Sequence, residues 1–261
     1  KNDTGQADEI RLVTVMFVDV VESTRLTQRM DSGDWKDLIS NAHSLMVTTI
    51  LEAEGNVGQF LGDGMLCYFG AQDSRRDDAL RAVNCALMIQ KRMEAYAEDA
   101  MRHYKMATGF AIRISLSTGR VVVGMVGNEE KQELLALGPA TNLASRLQSF
   151  AKPQTVVIDA QTQRRVRTHF KLEAHEPVQI KGFEEMVAYY TVLNKIENPS
   201  TEFTNNRISG RTIPFVGREE EHSKILNIWG QSQVNHQFKV VSILGEVGIG
   251  KSRLLQDVIE T

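Results

Sequence analysis

The chain has only two cysteines, Cys67 and Cys85, among its 261 residues. Two cysteines cannot form a disulfide framework, so a small disulfide-stabilised secreted fold is excluded and a reducing compartment, the cytoplasm, is expected. No apolar run approaches the roughly 18 residues that a membrane span needs, and the sequence shows no signal peptide. We therefore expect no membrane association.

The sequence also lacks a large excess of charge of either sign. Its 30 Lys and Arg stand against 33 Asp and Glu, which gives a formal net charge of −3. Nucleic-acid binding usually requires a broad basic surface, and the one basic cluster, Arg164-Arg165-Val166-Arg167, is typical of a solvated helix end. Nucleic acid is therefore not expected as a partner. A hydrophobic content of 42% is that of an ordinary globular core.

The hydrophobic pattern predicts strands mixed with long helices. The predicted elements are a strand over 11–20, a helix over 35–54, a hairpin around residue 63, a helix over 77–101, strands near 107–118 and 120–127 joined through Thr118-Gly119, a helix after Pro139, and strands near 155–159, 169–180 and 187–194. The βαββαβ beginning is ferredoxin-like. We predict an α+β fold, an α/β sandwich with a mainly antiparallel sheet and helices on one face.

The composition changes near residue 196. The segment IENPSTEFTNNRISGRT is polar, contains Pro, Ser, Asn and Gly, and has no periodicity, which is typical of a linker. We therefore predict a first domain over 9–195, a linker over 196–212 and the beginning of a second domain over 213–261. Because the chain ends nine residues after its last motif, we expect it to be part of a longer protein.

Two aspartates stand at the ends of predicted strands. Asp19 ends the first strand, in FVDVVEST, and Asp63 lies between two glycines at the tip of the hairpin QFLGDGMLCYFG. If these strands are neighbours, both carboxylates meet at one edge and can hold a divalent cation such as Mg²⁺. The helix start that follows Asp19 offers backbone N–H groups to phosphate, so the pair suggests a nucleoside triphosphate. The alternative is that Asp63 only makes the turn.

Five segments resemble the class III nucleotidyl cyclases, the family of adenylyl and guanylyl cyclase catalytic domains. In the order and spacing of that family they are FVDVVEST, GQFLGDGMLCYFG, LSTGRVVVGMVG, LGPATNLASRLQ and VQIKGF, and they span roughly residues 9–195. The resemblance implies conversion of ATP into 3′,5′-cyclic AMP and pyrophosphate with two Mg²⁺ or Mn²⁺ ions per site. It also implies a homodimer, because family sites lie between two such domains and this chain has one.

The resemblance also assigns roles to individual residues. It implies metal binding by Asp19, Asp63 and the carbonyl of Val20, polyphosphate binding by Arg120 and Lys181, and ribose orientation and transition-state stabilisation by Asn142 and Arg146. Asn142 and Arg146 are four residues apart, so they share one face of the predicted helix. An ordinary polar helix face is the alternative interpretation of that pair.

The positions that read the base depart from the family pattern. Adenylyl members usually carry Lys where Gln59 stands and Asp or Thr where Leu135 stands. A glutamine amide offers both donors and an acceptor, so it can serve either purine, whereas Leu135 offers no hydrogen bond. We predict ATP as the preferred substrate, with GTP or pyrimidine triphosphates as side substrates. The alternatives are a guanylyl or relaxed-specificity cyclase, a catalytically silent nucleotide-sensing or dimerisation module, and a Gln59 that merely faces solvent.

A second phosphate motif follows near the end of the chain. GEVGIGKS fits the pattern GxxxxGK[ST], after an apolar segment, KVVSIL, that predicts a strand and before RLLQDVIE, which predicts a helix. The residues of this predicted nucleotide site are Gly245, Gly248, Gly250, Lys251 and Ser252. With PFVGREEE before it, the segment resembles the beginning of AAA-like or STAND ATPases, as found downstream of cyclase domains in soluble adenylyl cyclases.

The second motif raises a rival enzyme class. A kinase or simple P-loop NTPase would place all catalysis in residues 213–261 and leave residues 9–195 as a sensor. About fifty residues cannot bury a complete NTPase core, so we expect this motif to be idle within the chain.

Overall fold

The computed structural model describes the residues in seven ranges. These ranges are 9–105, 109–127, 132–196, 207–208, 211–212, 217–245 and 249–260. The chain divides into two compact units, Lys1–Pro199 and Ser200–Thr261, which are treated separately below. No helix in the described ranges is both long enough and apolar enough to cross a membrane.

The first unit contains eight strands and five α-helices among its described residues. Its strands are β1 (Glu9–Val20), β2 (Asn56–Leu61), β3 (Gly64–Phe69), β4 (Ile112–Gly127), β5 (Gln132–Leu137), β6 (Val156–Asp159), β7 (Phe170–Ala174) and β8 (Tyr189–Lys195). Its helices are α1 (Ser23–Thr27), α2 (Ser32–Glu52), α3 (Asp78–His103), α4 (Pro139–Leu147) and α5 (Ala160–Val166). The structure therefore has the mixed α+β architecture that the sequence predicts.

The eight strands form one sheet in the order β2-β3-β1-β4-β6-β8-β7, with β5 paired to β4 outside this path. Every pairing is antiparallel except that of β4 with β6. The sheet is thus mostly antiparallel, as predicted. The first four strands have the ferredoxin-like order, which brings the end of β1 next to the β2–β3 hairpin.

Helices cover both faces of the sheet, so the prediction of helices on one face is wrong. Alternate residues of β1 point to opposite faces. Met16 and Val18 pack in the large core cluster formed with α2 and α3. Val13 and Val15 pack in a second cluster with the alanines of α4. The sequence did not reveal this, because α4 is short and buries only small residues and one leucine.

The predicted turn at Thr118-Gly119 does not exist, because β4 runs without interruption through both residues. Gly119 has a different reason to be glycine. A Cβ atom there would lie 3.0 Å from the Cβ of Ala140, so the missing side chain lets α4 pack closely on the strand. The sequence prediction also missed β5, and it extended β7 beyond its end at Ala174. The basic cluster at 164–167 does lie at a helix end, as predicted, since α5 ends at Val166.

The second unit contains two short paired strands and two helices among its described residues. They are β9 (Arg207–Ile208), β10 (Arg211–Thr212), α6 (Glu219–Asn235) and α7 (Lys251–Glu260). His222 of α6 lies 3.2 Å from the carboxylate of Asp257 on α7. The strand predicted for KVVSIL is absent: the described residues 237–245 are irregular, since no neighbouring strand pairs with them.

Candidate active site

The end of β1 and the start of β3 meet closely. Val18 pairs with Met65, so Asp19 lies beside Gly64. A Cβ atom on Gly64 would lie 2.5 Å from the carbonyl oxygen of Val18 and 3.5 Å from Oδ1 of Asp19. Only glycine fits at this position, and its close approach brings the hairpin tip, with Asp63, next to Asp19.

Asp63 carries an oxygen that is buried without a partner. The turn is opened by Gly62 in the left-handed region, at φ +68°, where glycine is favoured. Oδ2 of Asp63 is buried and has no hydrogen-bond partner among the described residues. A buried carboxylate oxygen without a partner is unfavourable unless a ligand satisfies it. This oxygen, with Asp19 alongside, fits the donor set that a divalent cation requires.

Arg113 forms an ion pair with Asp19 that the sequence did not predict. Its Nε and Nη2 both donate to Oδ2 of Asp19, at 2.8 and 2.6 Å. The two residues face each other directly across β1 and β4, with side chains 32% exposed for Arg113 and 21% for Asp19. The signal that could have found Arg113 was a single charge within the apolar strand sequence IRISL.

Arg120 lies far from Asp19 of the same chain. It is exposed on β4 opposite Leu12, seven residues beyond Arg113. At about 3.3 Å per strand residue, the two arginines are roughly 23 Å apart, and their alternation puts them on opposite faces of the sheet. The structure therefore does not bring Arg120 to the carboxylate pair within one chain.

The segment after Asp19 turns sharply into a short helix. Val20 is buried, and the N–H of Val21 donates to the carbonyl of Ala111, at 2.8 Å. Glu22 has a left-handed backbone, at φ +54°, and α1 has only five residues. A helix of this length gives little support to the predicted phosphate site at its start.

A second group of polar residues lies on and beside α4. Pro139 opens this helix, as proline often does at a first helical position, and Ala140 and Ala144 pack against the sheet. This leaves Asn142 and Arg146 exposed on the outer side.

The loop that carries Lys181 lies against this helix. A Cβ atom on Gly182 would lie 3.8 Å from Nη2 of Arg146, so the structure brings Lys181 and Arg146 into one region. Both side chains are exposed. Among the residues that the structure describes, no hydrogen bond or ion pair joins Asn142, Arg146 or Lys181 to the Asp19–Asp63 pair.

The two predicted base-reading residues lie on strands that approach each other. Cα atoms of β2 and β5 come within 8 Å. Gln59 pairs with Leu66, which packs in the cluster of α4. Leu135 pairs with Gly124 on β4 and alternates with Leu134 and Ala136, which belong to that cluster. The Gln59 side chain therefore lies on the face of β2 that is directed to the α4 cluster, whereas the Leu135 side chain lies on the face of β5 that is directed away from it.

A buried polar network holds the middle of β4. Asp159, 3% exposed, accepts hydrogen bonds from the hydroxyl of Ser117 at 3.1 Å and from the N–H groups of Thr118 at 3.3 Å and Thr162 at 2.8 Å. Burial raises the pKa of Asp159, and these hydrogen bonds partly oppose the increase. The network fixes β4 against the start of α5.

The second phosphate motif has only some of its predicted features. Helix α7 begins at Lys251, and Gly250 has a left-handed backbone at φ +92°. The Nζ of Lys251 donates to the carbonyl of Gly245, at 2.9 Å. Gly248 and the side chain of Ser252 lie outside what the structure describes, and no strand precedes the loop among described residues. Nucleotide binding here stays a prediction.

Similarity to known proteins covers the first unit. Residues 6–193 match the family model described as the adenylate and guanylate cyclase catalytic domain. The chain is 27% identical, over 187 residues, to the terminal-differentiation specific adenylate cyclase of Dictyostelium discoideum, a match that covers 70% of this chain and 9% of that protein. The chain spans less than a quarter of the length of the first curated relatives that it matches.

Solved structures share the fold of this unit. The guanylyl cyclase Cya2 superposes with a TM-score of 0.70 at 25% identity, covering 74% of this chain and 96% of that one. The adenylyl cyclase CyaB from P. aeruginosa superposes with a TM-score of 0.69 at 24% identity, covering 73% of this chain and 98% of that one. One structural neighbour is named for guanylyl and the other for adenylyl cyclisation, so likeness of fold leaves the base open.

Proposed function

The chain belongs to the family of adenylate and guanylate cyclase catalytic domains, and we propose that it converts ATP into 3′,5′-cyclic AMP and pyrophosphate at a homodimer interface. The observation that carries this proposal is the juxtaposition of the end of β1 with the β2–β3 turn. It brings Asp19 beside Gly64, the residue after Asp63, and Oδ2 of Asp63 is buried with no partner among the described residues.

Asp19, Asp63 and the carbonyl of Val20 would hold two Mg²⁺ or Mn²⁺ ions. Two divalent ions supply an activated ribose 3′-hydroxyl and charge neutralisation at the α-phosphate. The fit rests on the donor set, two carboxylates and a carbonyl, which is the oxygen chemistry that such ions prefer. No group of three or more His, Cys, Asp or Glu side chains that could hold a metal ion is present in the described ranges, and we propose that the backbone carbonyl of Val20 completes the set.

The cationic and amide side chains bind and orient the nucleotide. Cyclisation requires an in-line arrangement of the 3′-oxygen and the α-phosphorus, and donors aimed at the charge that develops. Asn142 orients the ribose, and Arg146 donates to the α-phosphoryl oxygens. Lys181 and Arg113 bind the polyphosphate, Arg113 because it already lies at the carboxylate pair. Arg120 is proposed as a weaker contributor, since it is exposed on β4, whereas Arg113 is partly buried and already held in place by Asp19.

The separation of the two polar groups supports the proposed homodimer. No hydrogen bond or ion pair between described residues joins the carboxylate pair to the α4 group, and a second copy can bring one group opposite the other. Three exposed apolar residues also form a row across β1, β4 and β5, because Ile10 pairs with Val122 and Val122 pairs with Leu137. Ile10 is 70% exposed, Val122 39% and Leu137 61%. Such a row is typical of a surface that another protein covers.

The proposal that ATP is the preferred substrate rests on Gln59 alone. Its amide can accept from the exocyclic amine of adenine and donate to N1, and a rotated amide can serve guanine. We therefore propose relaxed specificity, with GTP as a side substrate.

The deciding experiment offers each of the four nucleoside triphosphates with Mn²⁺ and identifies the product by mass. A cyclic monophosphate with release of pyrophosphate supports the proposal. Orthophosphate release would instead indicate an NTPase using the loop at Gly245 and Lys251, which we propose as a second nucleotide site in a longer protein.

A second candidate is a nucleotide-sensing module without catalysis. It is favoured by Leu135, which has no hydrogen-bonding group where base recognition is expected. Replacement of Asp63 by alanine distinguishes the two candidates, because it removes cyclase activity but leaves the dimerisation of a sensing module unchanged.

A further inference from the structure

Strand β2 contains a bulge that decides the direction of Gln59. Val57 pairs with Cys67 and Gln59 pairs with Leu66, so Gly58 has no partner on β3. In a regular strand, residues 57 and 59 would point to the same face. The extra residue turns Gln59 to the face of the α4 cluster, while Val57 and Phe60 face the side of α2.

Tyr68 occupies the space that a side chain at residue 58 would need. A Cβ atom on Gly58 would overlap the ring of Tyr68, so the bulge and the buried ring fit only with glycine there. Tyr68 is fully buried and belongs to the α4 cluster. The ring therefore supports the bulge directly, one residue before Gln59.

The hydroxyl of Tyr68 reaches the other side of the cluster. The N–H of Ala136, on β5, donates to this hydroxyl through a long hydrogen bond of 3.4 Å. The carbonyl of the same residue accepts from Oγ1 of Thr141, at 2.6 Å. Thr141 lies on α4 immediately before Asn142. Burial raises the pKa of Tyr68, an effect that the bond from Ala136 partly opposes, so the phenol stays protonated at neutral pH.

These contacts form a continuous path from β2 through β3 and β5 to α4, which we call the Tyr68 bridge (Gly58, Tyr68, Ala136 and Thr141). We infer that Tyr68 is a positioning residue for base recognition: the bridge fixes the backbone at Gln59 relative to Asn142, and thereby sets how strongly the Gln59 amide favours adenine over guanine. The inference rests on the proposed function, because it takes Gln59 as the base-reading residue and Asn142 as the ribose-binding residue.

The bridge has a clear physical consequence for selectivity. Discrimination between adenine and guanine by one amide depends on its distance and rotation relative to the sugar. If β2 shifts relative to α4, the Gln59 amide can adapt to either base, and the preference for ATP over GTP falls. The total affinity for nucleotide changes less, because the phosphate-binding residues lie outside the bridge.

The test uses three variants and one matched control in the whole chain. Y68F removes only the hydroxyl, Y68L removes the ring, and T141V removes the hydroxyl that anchors α4. The control is Y96F, because the Tyr96 hydroxyl also joins two elements, donating to the carbonyl of Leu38 at 2.8 Å, but in the α2–α3 core. Binding of non-cyclisable ATP and GTP analogues with Mn²⁺ is measured by titration calorimetry, alongside the thermal midpoint and the exchange rate of the Ala136 amide.

Loss of one hydrogen bond is expected to lower the ATP-to-GTP affinity ratio roughly 2- to 10-fold in Y68F and T141V. Y68L is expected to lower this ratio further, and the Ala136 amide should exchange faster in Y68F. Y96F should lower the thermal midpoint without changing the ratio. If the wild-type chain binds both analogues and folded Y68F and T141V keep its ATP-to-GTP affinity ratio, the role of Tyr68 is overturned and the proposed function still stands. A wild-type chain that binds neither analogue would overturn that role together with the proposed function.

Discussion

Arg113 directs two of its three guanidinium nitrogens, Nε and Nη2, to a single oxygen of Asp19, Oδ2. The other oxygen, Oδ1, lies toward Gly64 and the hairpin that carries Asp63. The guanidinium therefore holds the carboxylate in one orientation and leaves one oxygen free on the side where the proposed cations bind. We propose that the polyphosphate binds beside this positive charge.

Arg113→Gln should weaken nucleotide binding far more than Arg120→Gln. Charged hydrogen bonds are worth about 1.5–3 kcal/mol, so we expect KM for ATP to rise roughly 10- to 100-fold in the first variant. The second variant should change KM less than about threefold, because Arg120 is exposed to solvent, where charged contacts are worth less. Steady-state kinetics at saturating Mn²⁺ measures both values.

Arg92→Gln is the control for the loss of a half-buried arginine. Arg92 is 34% exposed and pairs with Glu52 at 2.7 Å, away from the candidate site. Its replacement should lower the thermal midpoint and leave KM unchanged. A larger KM effect from Arg120→Gln than from Arg113→Gln would contradict the placement of the polyphosphate beside Asp19.

Asp63→Ala should abolish activity and stabilise the protein. The substitution removes a buried oxygen that has no partner among the described residues, and relief of such a group is worth about 1 kcal/mol. We expect the thermal midpoint of the metal-free protein to rise by about 2–4 °C, while turnover falls at least about 100-fold. Calorimetry and cyclic nucleotide detection provide the two measurements. A lower midpoint would show that Asp63 serves the turn instead.

Two inactive variants should complement each other if the site is shared between subunits. Asp63→Ala and Arg146→Ala remove one member of each polar group, so each homodimer lacks complete sites. Mixed in equal amounts, half of the dimers contain both variants and one of their two sites is intact, which restores about a quarter of wild-type activity. Absence of any recovery, with mixed dimers demonstrated by affinity tags, would place the whole site in one subunit.

Asp159→Asn should flatten the dependence of stability on pH. The folded-state pKa of Asp159 is raised above its ordinary value of 3.8, so the folded protein binds more protons than the unfolded chain between the two pKa values. Its contribution to stability is therefore present below pH 4 and is lost as the pH rises through the folded-state pKa. An asparagine oxygen can still accept from Thr118 and Thr162, and its amide can donate to Ser117.

The measurement is urea unfolding of wild type and Asp159→Asn between pH 4 and pH 8. The wild type should lose stability relative to the variant as the pH increases, and the variant should be at least as stable at pH 7. Parallel curves for the two proteins would show that the carboxyl titrates normally.

The sequence predicted the order of elements well where hydrophobic periodicity was strong. Strand β1, the long helices α2 and α3, and the hairpin around Asp63 are all present near their predicted positions. The prediction from sequence was wrong where a glycine can serve either a turn or close packing. Gly119 was interpreted as a turn, yet its role is to let Ala140 approach the strand, and no local pattern distinguishes these cases.

The candidate site shows the same limit. The position of Asp19 at the end of a strand and of Asp63 in a turn were readable from local patterns. The proximity of Arg113 was not, because it depends on the register between β1 and β4, which are about 90 residues apart in sequence. The bulge at Gly58 was equally hidden, since only the pairing partner on β3 reveals which residue is extra.

The uninterrupted β4 strand has a mechanical consequence. Arg113 lies near the start of β4, and residues 122–127, which pair with β5, lie at its end. The strand is continuous between them. If another protein covers β4 and β5, a displacement of these strands would be carried along the continuous β4 backbone to Arg113, which binds Asp19. A partner bound at β4 and β5 would thus have a direct connection, through one strand, to the contact between Arg113 and Asp19.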